Sequence, residues 1–370
     1  KDHPSDEPNE GVDMFITVPE NLVVAGPGLL KDVVKKKNKK TYHWKTNYTI
    51  SNYCTVFNIG KYAVVSKDYT TIDGTVVPIQ FYVLEEDSSF APKIIELKAR
   101  DTKILEKYFG EYPWAKEKIG IAAVPNSGME HQTMITFQNK FNYTKIGVHD
   151  YSANLYHEYG HEWFANKVTN KDWAHMWIQE GITTYSEALI HYALGGQEAY
   201  DEIISRHKRN TRNKKPMVGG EELSEEEAYA GRDIYAKGSF FMHSLRYVLG
   251  DEIFLPTLKK LATDPRYTYD NFVTTKDVEE LFSTASKQDL KPFFNFYVYT
   301  NEVLDISVKE VGYQKYQITL NNFFMPLPLD IGPADKTTRT MIGKEGIVVS
   351  SNGAPQVDPK GHYLKKITIQ

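Results

Sequence analysis

The stretch YHEYGHEWFANKVTN, Tyr156 to Asn170, decides the fold. It sets His157 and His161 four residues apart, with Glu158 directly after the first. Residues i and i+4 of an α-helix lie about 40° apart around its axis, so both imidazoles reach one cation. Glu158 then projects beside that cation without being a ligand. This is the H-E-x-x-H arrangement that binds zinc from one face of a helix. In a chain of this histidine content chance supplies it roughly 0.02 times, so two unrelated surface histidines are a poor explanation. The flanks NLY and WFANKV are apolar enough to bury the helix beside a cavity.

A catalytic zinc keeps three protein ligands and one open position. The candidate for the third ligand is Glu180 in WAHMWIQEGITTYSEALI, with 18 residues between it and His161. Glu187 follows seven positions later on nearly the same helix face, where it could accept a hydrogen bond from a ligand histidine. One ion per chain is expected. The set of two His and one Glu favours Zn2+ over other divalent ions.

Outward from this segment, 370 residues exceed one ordinary core and imply two or three domains. A net charge of −4 offers no pull towards nucleic acid or anionic membrane. Cys54 is the only cysteine, which excludes an intrachain disulfide and a thiolate cluster. No apolar run approaches the ~18 residues of a membrane span. The chain opens on KDHPSDEPNEG, without Met. It therefore reads as incomplete at its start, and the compartment, cytoplasmic or exported, stays open.

Residues 1–69 read as strands, in DMFITVP, NLVVAG, KTYHWKTNYTISNY and CTVFNIGKYAVVS, with the basic run Lys31 to Lys40 as a solvated hairpin tip. The pattern changes at VVPIQFYVLEE. SSFAPKIIELKARDTKILEKYFG has helical spacing, KIGIAAVP is strand-like, and helical segments then dominate to about Thr300. TTKDVEELFSTAS opens with a capping box, Thr274 to Asp277. Short strands return over 303–370 and suggest a small β-sandwich. The expected fold is multidomain α+β: a β-rich 1–69, a mainly helical 70–302 and a β-sandwich 303–370.

H157-E-Y-G-H161, the 18-residue gap and Glu180 together resemble the M1 (gluzincin) aminopeptidases. The likeness runs over nearly the whole chain. SGMEHQTMITF is similar to the family's G-x-M-E-N exopeptidase motif, with Gly128, Met129 and Glu130 in place and His131 where Asn is usual. DIYAKGSFF resembles the Y-x-K-G segment and places its tyrosine at Tyr235. The resemblance implies a thermolysin-like catalytic domain over 70–302, the C-terminal part of an N-terminal β-domain before it, and zinc held by His157, His161 and Glu180. It implies Glu158 as general base acting on metal-activated water and Tyr235 as hydrogen-bond donor to the oxyanion. Glu130 would anchor the substrate's α-amino group, with Gly128, Met129 and His131 completing the substrate site. A peptide α-amino group has a pKa of about 7.7–8.0 and is largely cationic at neutral pH, so a carboxylate suits it. The expected function is a zinc aminopeptidase acting on peptides with a free N-terminal amine. The first side-chain pocket is expected to be apolar or broad, from Met129, Met134 and Phe137. The alternatives are an epoxide hydrolase of the leukotriene A4 hydrolase type, a thermolysin-type endopeptidase, and a truncated inactive binding module. Against the family pattern, the chain is expected to enter the N-terminal β-domain late and to stop before the large C-terminal helical domain of longer members, as a natural short form or as a fragment. Glu227, in the acidic run EELSEEE, reads as part of a solvated helix start with a lesser claim on the substrate site.

Overall fold

A computed structural model describes residues 4–138, 141–333 and 336–370. β1 (Asp13–Pro19), β3 (Leu29–Lys36) and β4 (Lys39–Lys45) form an antiparallel sheet in the order β1-β4-β3, and β2 (Val23–Ala25) pairs with β5 (Asn58–Gly60). Lys37 and Asn38 make the exposed β3–β4 turn, where the basic run was expected to sit; Lys37 has φ 54°. The inner face of this sheet carries Val18, Tyr42 and Trp44 over a small core that also takes in Met134.

β6 (Tyr62–Thr70) pairs antiparallel with β7 (Val76–Leu84) along its full length, across the expected junction at residue 69. β8 (Ile119–Val124) and β9 (Ile135–Gln138) then add in parallel, giving the order β6-β7-β8-β9. Every residue of β8 is buried, as the uninterrupted apolar run IGIAAV requires of a central parallel strand covered on both faces. α1 (Ala91–Phe109) starts with Pro92 in its first turn and stops at Gly110, whose φ of 85° no helix continues. It buries Ile94, Ile95, Leu105 and Phe109.

A short hairpin of β10 (Thr144–Ile146) and β11 (His149–Tyr151) leads into α2 (Ala153–Gly160). α3 (Trp177–Asn210) follows, broken at Gly196 with φ 70° and ψ −162°. After it come α4 (Glu225–Tyr229), α5 (Ala236–Leu249), α6 (Asp251–Thr263), α7 (Thr275–Ser286) and α8 (Lys291–Val298). The capping box expected at Thr274 and Asp277 is present at the start of α7. Among the described residues no helix is long and apolar enough to cross a membrane.

The last strands make two sheets. β12 (Leu304–Gly312), β13 (Lys315–Leu320), β16 (Ile347–Ser350) and β18 (Lys365–Ile369) run in the order β16-β13-β12-β18. β14 (Leu327–Gly332), β15 (Thr338–Ile342) and β17 (Gln356–Val357) run β15-β14-β17. One apolar cluster runs continuously from Val77 through the helices to Leu364. The far side of α5 is tied to these sheets by polar contacts. Ser244 donates to the His362 carbonyl at 2.7 Å, Tyr247 donates to Asp330 at 2.8 Å, and the Tyr247 ring stacks on His362 with centroids 3.8 Å apart. The chain is thus α+β, with β-sheets at both ends and a helical region between them.

Candidate active site

α2 carries His157 and Glu158, and His161 follows directly as its C-terminal cap. α3 packs across it and presents Glu180 in its first turn and Glu187 two turns further on. The two Nε2 atoms lie 3.2 Å apart. Glu180 Oε2 lies 3.5 Å from His157 Nε2 and 3.3 Å from His161 Nε2. The three donor atoms are all within 4.8 Å of one another.

The other ring nitrogens are committed. His157 Nδ1 lies 2.9 Å from Glu187 Oε1, and His161 Nδ1 lies 2.9 Å from the Phe164 carbonyl. Both partners only accept, so in the neutral rings each Nδ1 holds the proton and each Nε2 presents a lone pair. Two lone pairs and a carboxylate oxygen therefore converge on one point. Glu180 Oε2 is buried without a hydrogen-bond partner among the described residues. Such a group is costly unless a cation meets it, and an N,N,O donor set suits zinc. Burial would raise Glu180, but the adjacent His161 and His157 hold its carboxyl well below the usual range. Burial would lower His157, but Glu180 and Glu187 outweigh it and push the imidazole up. The carboxylate field that favours a proton here also favours a metal, so binding would release protons.

Glu158 lies on the cleft side of α2. Burial pushes its carboxyl up to about 7, and Asn154 donates to its Oε1 at 3.0 Å. Gly128 packs against it: a Cβ there would sit 2.8 Å from Glu158 Cγ and equally close to Asn154 Oδ1 and the Thr136 carbonyl. The next residues are pinned by backbone. Met129 and Thr136 exchange hydrogen bonds of 3.3 and 2.9 Å, and Asn166 donates to the Glu130 carbonyl at 2.8 Å. The Glu130 side chain thereby joins Glu158 and His161 in a second group whose donor atoms lie within 4.8 Å of one another.

Tyr235 immediately precedes α5, and its hydroxyl donates to Glu180 Oε1 at 2.9 Å. Its position depends on two glycines. Gly238 of α5 meets Gly181 of α3 so closely that a Cβ at 238 would lie 2.7 Å from Gly181 Cα. Beneath His161, buried Glu162 accepts hydrogen bonds from Trp114, Tyr112, Asn166 and the Thr133 backbone. Burial still holds its carboxyl up at about 7.

The resulting cavity of about 430 Å³ brings together Gly128, Met129, Glu130, His157, Glu158, His161, Glu180 and Tyr235. It does not include His131, whose carbonyl instead accepts from Met134 N and turns the chain into β9. Met134 and Phe137 are also absent from the lining: the first packs under the N-terminal sheet and the second in the main core. The lining gains two residues that sequence reasoning missed, Glu225 and Tyr229. Glu227 closes the capping box with Ser224 that starts α4, which leaves its neighbour Glu225 to face the cleft. No Lys or Arg lines the cavity among the described residues, so its field favours a cationic ligand group.

Such a histidine–glutamate centre between two helices, with acidic residues around its open side, defines a metallopeptidase-type site. The model of the peptidase family M1 domain matches residues 95–297, more than half of the chain, and the chain belongs to that family. It is similar to mitochondrial aminopeptidase 2 of Saccharomyces cerevisiae, 23% identical over 404 residues that cover 99% of this chain and 40% of the relative. Aminopeptidase N of Lactococcus lactis is 26% identical over 269 residues, covering 68% and 31%. The chain thus spans less than half the length of these relatives. Among solved structures, Legionella pneumophila aminopeptidase A in complex with aspartic acid matches with TM-score 0.79 at 19% identity, covering 99% of this chain and 46% of that one. An M1 zinc metallopeptidase from Deinococcus radiodurans bound to Tyr-Ser-Ala matches with TM-score 0.65 at 20% identity, covering 79% and 64%.

Proposed function

We propose that the chain is a zinc-dependent aminopeptidase that hydrolyses the N-terminal peptide bond of peptides. The observation that carries this reading is the Glu130 carboxylate, set within 4.8 Å of both Glu158 and His161 donor atoms. A carboxylate so close to the metal-binding group leaves room for little more than one residue between the substrate's ammonium and the bond to be broken. His157, His161 and Glu180 would hold the zinc. Zinc in such a site supplies Lewis acidity, activating water and polarising the carbonyl.

The chain's own groups do the rest. Glu158 takes the proton of the attacking water and returns it to the leaving amine, and a carboxyl near 7 suits that exchange in both directions. Tyr235 donates to the oxyanion as it forms. Burial and the Glu180 charge raise its phenol, so it keeps its proton throughout the working range. Glu130 binds the ammonium, and positioning of this kind contributes several kcal/mol. Met129 has both backbone groups engaged by Thr136, which leaves Gly128 to meet the substrate backbone. His131, outside the cavity lining, is not assigned as a metal ligand in this reading. We propose three units for the chain, with the first junction of the 1–69, 70–302 and 303–370 division moved ahead of β6, because that strand belongs to the β7 sheet.

The test is turnover of aminoacyl-anilides before and after chelation, with Glu158→Gln as the second arm. Loss in both arms, restored by zinc in the first, is expected. Turnover of free-amine substrates that survives both would overturn the reading. Cleavage of amine-blocked peptides would indicate an endopeptidase, and turnover of a fatty epoxide alone would indicate the epoxide hydrolase alternative.

A further inference from the structure

Glu180 Oε1 accepts two phenols: Tyr235 at 2.9 Å and Tyr229 at 3.2 Å. A carboxylate oxygen has two lone pairs, so this pair of donors saturates Oε1 and leaves Oε2 as the one oxygen turned to the histidines. The phenol of Tyr229 is delivered by a short, well-fixed element. α4 starts with a reciprocal capping box between Ser224 and Glu227. It is closed from the other side by Arg232, which donates to the Glu227 carbonyl at 2.7 Å and to the Pro216 carbonyl at 3.1 Å. The Tyr229 ring rests against Trp173, with centroids 6.4 Å apart, and against Tyr235 at 6.3 Å.

The two phenols are not equivalent. Tyr235 is 40% exposed to the cleft and is the one free to turn towards substrate. When it does, Oε1 loses its shorter hydrogen bond at the moment charge builds up at the centre. We propose that Tyr229 is a positioning residue for Glu180: its hydroxyl holds Oε1 when Tyr235 leaves, so that Oε2 keeps facing the two histidines. Without it, Oε1 would have no donor once Tyr235 has turned away, and Glu180 would be free to rotate out of the position in which Oε2 faces His157 and His161. This rests on the zinc aminopeptidase reading for the metal's identity, and on the two hydrogen bonds to Oε1 for the rest.

The experiment uses the full chain, with Tyr229→Phe, Tyr235→Phe and the double variant. Zinc affinity is measured by competition with a chromophoric chelator, kcat and KM with an aminoacyl-anilide, and folding by the melting of the metal-free chain. Phenylalanine keeps the ring on Trp173, so melting is expected to stay at the wild-type value. Removing a residue that orients a metal ligand typically costs about 10- to 100-fold in metal affinity or activity. Tyr229→Phe is expected to leave zinc binding nearly unchanged, because Tyr235 still donates to Oε1 in the resting site, and to lower kcat about tenfold with KM little changed. The double variant is expected to lose more zinc affinity than the product of the two single losses, because each single variant keeps one donor on Oε1. A kcat within twofold of wild type in Tyr229→Phe, or a double variant whose zinc affinity equals the product of the singles, overturns the proposal. A wild-type chain that binds no zinc sinks the function proposed above instead, and that outcome is read separately.

Discussion

Gly238→Ala is the sharpest perturbation of the site that touches none of its functional groups. The added Cβ would lie 2.7 Å from Gly181 Cα, whereas carbon atoms pack at about 3.5–4.0 Å. The shortfall is about 1 Å, and backbone stands on both sides of it, so α5 has to move away from α3. Tyr235 lies one turn back along α5 and moves with it. Its 2.9 Å bond to Glu180 then stretches past the roughly 3.5 Å at which a hydrogen bond ends. Overpacking costs about 1–3 kcal/mol, partly offset by the roughly 1 kcal/mol that Ala gains over Gly in a helix. A displacement of about 1 Å at a catalytic group lowers turnover by about a hundredfold. The expected outcome is therefore a kcat lowered between 10- and 100-fold, with KM nearly unchanged and a modest fall in melting temperature. Steady-state kinetics on an aminoacyl-anilide and a thermal melt measure both. Gly343→Ala makes the same chemical change where nothing lies within 4 Å and should leave both values alone. A Gly238→Ala chain that keeps kcat within twofold would show that Tyr235 is not placed by this contact, and the role given to it would fall.

Glu130→Gln removes the charge that, under the proposed function, meets the substrate ammonium. A hydrogen bond to a charged group contributes about 1.5–3 kcal/mol, so kcat/KM for free-amine substrates should drop roughly 10- to 150-fold. An equal drop on acetylated substrates would contradict the anchor role. Lys98 gives a pH signature in stability. Burial pushes its ammonium down to about 7, against 10.5 in the open chain. Between those values the unfolded chain holds a proton that the folded chain does not, so folding stability from this group rises with pH from about 7 upwards. Melting temperatures of wild type and Lys98→Met, compared from pH 6 to pH 10, should converge as the pH rises; parallel curves would show that Lys98 is charged in the fold.

The convergence of the candidate metal ligands was legible because its information is local. One helical turn fixes the relation of His157 to His161, and the family's gap locates Glu180 without any knowledge of how α3 crosses α2. The capping box at Thr274 was legible for the same reason. What the sequence concealed depends on contacts between distant segments. Tyr229 is one of 25 tyrosines, and only the arrival of α4 over α3 distinguishes it. Glu225 and Glu227 share one acidic run, and the cap at Ser224 decides which of them faces solvent chemistry and which closes a helix. Met134 and Phe137 lie beside the G-M-E segment in sequence, yet the bridge from Met129 to Thr136 folds the chain back and carries both away from the cleft. β6 read as the end of the first β-rich stretch because composition does not state a strand's partner; β7 claims it through nine paired positions.

α5 is gripped at both ends of its cross-section. One side presses glycine to glycine on α3, and the other is bolted through Ser244 and Tyr247 to His362 and Asp330. The C-terminal strands therefore act as an anvil for a phenol they never approach. Slackening that rear attachment would let the helix drift and part the Tyr235 hydroxyl from Glu180 first, while the two imidazoles, mounted on a different helix, kept their place.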